Sequence, residues 1–235
     1  MSLKMKLEHE SHQLHFFSNN NDIEANSLFV SAMTQNLSEH LSLVPNTGRE
    51  FEPMKGLQRD FLVLTTPDGK TRIEFPSNET VIFKEGGTLD EFQELCIKIL
   101  SSLNNLFPMK HANRLSVLTS KFYSGSEENY NNLYRELFTY RSAQPFEWDN
   151  RIVQRLTLER SGEKINSISA IRRLEVQGPF SMKGQPKDMI VVDIDTNTIF
   201  QNKDFRFSLS NSTGVFEELF SSTHRVSSEL SRYFG

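Results

Sequence analysis

The stretch Met189–Phe200, MIVVDIDTNTIF, leads an apolar run into two aspartates with one residue between them. A strand ending in Asp-x-Asp is one way in which phosphate-handling enzymes hold a divalent cation beside a nucleophile. Alternate residues of a strand face the same way. Ile190, Val192 and Ile194 therefore share one face, and Met189, Val191, Asp193 and Asp195 the other. The two carboxylates then stand about 7 Å apart at Cα, and a hard cation between them needs further oxygen ligands from another segment. Asp193, Asp195 and, on the closing amphipathic segment, His224 are the candidate catalytic residues. The competing reading, which the sequence favours, is a strand that passes from core to solvent with its aspartates at the wet end.

Neighbouring residues weaken the enzyme readings. Motif I of the haloacid-dehalogenase-like phosphatases is Asp-x-Asp-x-Thr at the start of the fold. Here Asn197 stands where the threonine belongs, and only 35 residues follow Phe200, too few for that family's downstream lysine and acidic pair. A nuclease of the PD-(D/E)xK kind would pair Asp195 with Gln201, Asn202 and Lys203, where glutamine replaces the acid and no second strand fits. His9, His12 and His15 recur every third residue. On a helix they could bind zinc, but HQLHFF is strand-like, which parts His12 from the other two. This terminal segment is expected to be a fraying, solvated end. No Gly-x-Ser-x-Gly, phosphate loop or His-Glu-x-x-His is present, and neither a metal nor a cofactor is expected.

The remaining candidates are basic. Arg151, Arg155 and Arg173 alternate with other residues on two strand-like segments, with Arg172 and Lys164 nearby. They are the candidate partner-binding residues, because guanidinium groups on a sheet face take phosphates or carboxylates. Residues 145–176 hold six basic and five acidic side chains, so a solvated face with cross-strand ion pairs competes.

Net charge is −4 over 235 residues, which argues against general polyanion binding. A hydrophobic fraction of 37% with 19 Phe supplies a substantial core. The one cysteine, Cys96, excludes an intramolecular disulfide and four-cysteine zinc sites, and fits a reducing compartment. No run approaches the ~20 apolar residues of a membrane span, and the N-terminus lacks the apolar core of a secretory signal. A cytoplasmic protein is expected.

These residues must be positioned by alternating strands and helices. A strand over 12–18 precedes a helix over 22–44, then a Pro- and Gly-containing loop over 45–56. A three-strand meander around the Pro67-Asp68-Gly69 hairpin follows. Thr88 and Glu91 form a capping box on a helix whose apolar stripe runs from Phe92 to Phe107, with Cys96 inside it and Pro108 ending it. The second half repeats this order, with a strand over 114–124, a helix over 127–140, a hairpin around Ser161-Gly162, the strand holding Asp193, and a closing helix over 214–234. Short identities recur at matching places: FFS and FYS, NSLF and NNLY, FQEL and FEEL. The expected fold is α+β, an antiparallel sheet with helices on one face. It is built from two pseudo-repeated β-α-β-β-β-α units, 1–108 and 109–235, in a TATA-binding-protein-like or helix-grip-like arrangement, either as two units or as one continuous domain.

The hairpin in FLVLTTPDGKTRIEF, the strand VVDIDT and the closing FSSTHRVSSELSRYF together resemble a sporadically distributed family of uncharacterised bacterial proteins. The resemblance covers about half the chain and departs at FKEGG, where the family has Asn-Trp. It implies Asp193, Asp195 and His224 as shared positions and brings no established activity. The leading expectation is a non-enzymatic binding or regulatory protein that uses a curved sheet face, with a protein partner first and nucleic acid second. The alternatives are a metal-dependent phosphoesterase or nuclease using Asp193 and Asp195, and a small-ligand carrier.

Overall fold

The computed structural model describes residues 4–23, 26–52, 56–178 and 185–234. The first half runs β1 (Lys6–Ser18), α1 (Ser27–Leu37), β2 (Val44–Glu52), β3 (Leu57–Thr65), β4 (Thr71–Glu74), β5 (Thr80–Glu85) and α2 (Leu89–Leu106). The second runs β6 (His111–Ser124), α3 (Glu127–Leu137), β7 (Trp148–Thr157), β8 (Lys164–Val176), β9 (Lys187–Thr198), the short β10 (Phe207–Ser208) and α4 (Leu209–Ser231). The described strands form one antiparallel sheet in the order β2-β3-β4-β5-β1-β6-β9-β8-β7, with β10 paired to β6. The sheet crosses the middle of the chain without a break, because β1 pairs with β6 from Lys6–Ser124 to Ser18–Ala112. Each face therefore runs from one half of the chain into the other.

The four helices of the described residues lie on one side of this sheet. Even-numbered β1 residues Leu14 and Phe16 join Leu62, Leu64, Ile73 and Ile82 under α1 and α2 in one core cluster. Ile190, Val192 and Ile194 join Tyr130 and Leu133 of α3 in a second. Helix α4 serves both: Phe216, Leu219 and Phe220 pack in the first, and Val226 and Leu230 against the second. Its 23 residues give a rod of about 35 Å, long enough to span several strands. Its Glu218 accepts the Arg160 and Ser161 backbone amides of the β7–β8 turn at 2.8 and 3.0 Å. That turn closes at Gly162, whose φ of 70° suits glycine.

Three expectations change. Residues 45–52 form strand β2 rather than a loop, because the segment pairs with β3 from Val44–Thr65 to Glu52–Leu57, and an edge strand tolerates Pro45. Gly48 fits there because a Cβ would lie 2.3 Å from the Phe61 ring across the ladder. Helix α1 accordingly stops at Leu37, short of Leu41 and Val44, while residues 24–25 of its expected start lie outside the described residues. The N-terminal segment is no frayed end: β1 is central, held on both edges by β5 and β6, and His12 is fully buried. The α2 capping box is present as the spacing predicts, with the Thr88 hydroxyl accepting from the Glu91 amide and the Glu91 carboxylate from the Thr88 amide.

Candidate functional site

The face away from the helices is covered by no described element, and the strand register sets its side chains in rows. One row reads Glu85, Ser11, Ser120, Asp193, Ala170, Arg151 across six strands. The next reads Phe83, Gln13, Leu118, Asp195, Ile168, Val153, and a third Val81, His15, Ser116, Asn197, Asn166, Arg155. Above them His9, Phe122, Val191, Arg172 and Asp149 make a fourth. Short side chains at the centre, Ser11, Ser116 and Ala170, are buried between longer neighbours.

Asp193 and Asp195 share this face, as strand alternation requires. Each accepts hydrogen bonds from the sheet itself. Asp193 receives the Ser120 hydroxyl at 2.5 Å and the Arg172 guanidinium. Asp195 receives the Ser116 hydroxyl at 2.8 Å and the Asn197 amide at 2.9 Å. Asn197 accepts from Asn166, and Asn166 from Arg155, so one hydrogen-bonded line runs from the edge strand to Asp195. Among the described residues no three His, Cys, Asp or Glu side chains converge as a metal site.

His224 is on the other side of the sheet. Its Nε2 stands 2.8 Å from Asp90 Oδ1, beside a depression of about 210 Å³ lined in part by Glu10, Thr119, Lys121 and Ser227. The sheet thus separates His224 from Asp193 and Asp195, and the three do not form one constellation. Arg173 is also apart from Arg151 and Arg155. It lies against α3, while Arg172 takes the open face beside Asp193. Arg151, Arg155 and Arg172 therefore share the β7–β8 end of that face, with Lys164 opposite Thr157.

One end of the open face was not legible as a site. Phe17, Arg114, Phe200, Lys203 and Phe205 line a depression of about 430 Å³ with Asn78 and Asn113. Arg114 stacks on Phe17 at 4.8 Å and Lys203 on Phe200 at 5.4 Å. The only sequence signal was the pair of phenylalanines in a polar turn, FQNKDF. A depression of about 760 Å³ beside Leu106 and Lys110 also opens to solvent.

The histidine triplet divides as strand alternation predicts. His9 and His15 lie on the open face, where His15 Nδ1 stands 2.7 Å from Glu79 and its ring stacks on Phe17. His12 enters the core, stacked on Phe92, with Nδ1 3.1 Å from Thr119 Oγ1. Burial lowers the pKa of His12 against the pull of nearby Glu10, with Lys121 and Lys84 opposing its charge. The unfolded chain takes up this proton near pH 6.5 and the folded chain only at lower pH. Stability from His12 is thus present at alkaline pH and lost as pH falls below about 6.5. We expect the melting temperature of the wild type to fall between pH 7.5 and 5.5 more steeply than that of His12→Gln. Parallel melting curves would remove His12 as a source of acid sensitivity.

Comparison of the chain with models of known protein families finds no match, and comparison with curated proteins finds none. Among solved structures, Methanococcus jannaschii TBP aligns over 94% of this chain and 99% of that one, at 10% identity and a TM-score of 0.25. A likeness at that level carries no inference about function. No helix among the described residues is long and apolar enough to cross a membrane.

Proposed function

We propose that this is a non-enzymatic binding or regulatory protein that takes a protein partner on its helix-free sheet face, in a bacterial cytoplasm. The observation that carries the reading is the composition of that face. Apolar Phe83, Leu118, Phe122 and Ile168 alternate along its strands with Arg72, Arg151, Arg155 and Arg172 and with Glu74, Glu85, Asp193 and Asp195. Charges of both signs around apolar side chains suit a protein surface of matching pattern. A nucleic-acid track would need a one-signed basic stripe. The strand order supports descent from two units, 1–108 and 109–235: without β2 it reads β3-β4-β5-β1 and then β6-β9-β8-β7. Each half then presents a hairpin, a third strand and its own first strand, meeting at β1–β6.

The test is affinity capture from the native host with three baits: wild type, Leu118→Arg on the open face, and Ser101→Arg on the solvent side of α2. We expect a protein captured by wild type and by Ser101→Arg, and reduced at least tenfold with Leu118→Arg. Equal loss with both variants, or recovery of nucleic acid instead of protein, would overturn the reading.

A further inference from the structure

The two edges of the sheet differ. Edge strand β2 carries Pro45 and Gly48, residues that discourage further pairing. Edge strand β7, WDNRIVQRLT, has neither, and its residues are exposed along most of its length. Ile152 and Val153 at its middle are 54% and 47% exposed, and exposed Tyr140 and Phe146 precede it. Among the described residues the side chains of Asp149 and Arg151 make no hydrogen bond or ion pair, and that of Arg155 makes only 3.4 Å contacts to Asn166. Among the described residues no strand pairs with the outer edge of these ten residues, and such an edge flanked by exposed apolar groups is a template for another strand.

The sequence of β7 specifies which strand. We infer that β7 pairs antiparallel with β7 of a second copy of this chain about a two-fold axis through Ile152, perpendicular to the sheet. In that register Ile152 faces Ile152, Asn150 faces Gln154, Trp148 faces Leu156, and Asp149 of each copy faces Arg155 of the other. Two opposite-charge pairs then flank an apolar centre. Sliding by two residues one way sets Arg151 against Arg151, and the other way sets Arg151 against Arg155. Both place like charges directly opposite. A slide by one residue would put helices on opposite sides of the joined sheet. The contact is isologous and closes at two copies. It also joins the two open faces, setting Arg151 of each copy beside Val153 of the other, so a partner meets one surface twice as wide.

The test is native mass spectrometry and light scattering of the full chain at micromolar concentration, against a monomer mass of 27.1 kDa. We expect a dimer for wild type. Asp149→Arg, which turns both pairs into Arg–Arg contacts, should weaken dimerisation about thirtyfold or more. The double variant Asp149→Arg with Arg155→Asp should restore it, since the reversed pairs meet again in the same register. Unchanged far-ultraviolet circular dichroism shows that the variants fold, because these side chains are exposed. A monomeric wild type, a dimer indifferent to Asp149→Arg, or a double variant that stays monomeric would each overturn the pairing. Loss of partner capture by Leu118→Arg with the dimer intact separates this inference from the proposed function.

Discussion

Arg173→Met should lower stability by about 2–3 kcal/mol, which for a chain of this size is a fall in melting temperature of about 5–10 °C. Arg173 is only 4% exposed. Its guanidinium donates to Asp188 at 2.8 Å, to Glu127 at 3.1 Å and to the Pro145 carbonyl at 3.3 Å, and lies 5.0 Å over the Tyr130 ring. Burial opposes its charge, but the hydrogen bonds to Asp188 and Glu127 outweigh that and raise its pKa. One side chain thus ties the first turn of α3 to β8 and β9 and to the loop that leads into β7. The full cost of breaking a buried pair is not expected, because Glu127 and Asp188 are exposed enough to return to water. Methionine keeps most of the stem packing, so the loss reports the charged head. Arg173→Lys, a point charge without the planar fork, should recover less than half. Hydrogen exchange should localise the loosening to α3. A variant with an unchanged melting curve would mean that Arg173 does not hold α3 to the sheet through its charged head and is free for a partner, the role proposed for Arg151 and Arg155.

The misplacement of Arg173 shows where sequence reasoning ran out. Its neighbour Arg172 has the same chemistry, and only strand parity distinguishes them. The β7–β8 register pairs Arg151 with Ala170 and Arg155 with Asn166, so odd-numbered β7 residues share a face with even-numbered β8 residues. Counting outward from the Ser161-Gly162 hairpin would have assigned Arg172 to the open face, but the loop length sets that count and adds its own uncertainty. Features written locally were legible. The α2 cap follows from Thr88 and Glu91, and the shared face of Asp193 and Asp195 from two-residue alternation. Strand β2 was not, because Pro45 and Gly48 read as loop, and pairing with β3 supplies what local preference withholds. The site residues suffered most. Carboxylates that look like metal ligands along one strand become hydrogen-bond acceptors once Ser116 and Ser120 arrive from β6, a meeting of segments more than seventy residues apart.

Phe220→Ala should be the most damaging single truncation, costing about 3–5 kcal/mol. Phe220 of α4 is fully buried and meets Phe92 of α2 edge-to-face at 5.9 Å. Phe92 in turn stacks on His12 of β1 at 5.4 Å. The three rings form a column from the closing helix through the first-half helix to the central strand, so the two halves are joined beneath the sheet as well as through β1–β6. Removing the end ring leaves a void that helices held in place by Leu219 and Leu103 cannot fully collapse. The cost therefore exceeds simple transfer of the lost carbons. The void also frees one face of Phe92 and loosens the packing that keeps water from His12, so the pKa of His12 should move back towards its ordinary value. The difference in acid sensitivity between wild type and His12→Gln should then be smaller on the Phe220→Ala background. Chemical denaturation of the four chains at two pH values measures both effects. An unchanged His12 difference would mean that burial of the imidazole is set by Thr119 and the strands alone, with α4 contributing only bulk to the core.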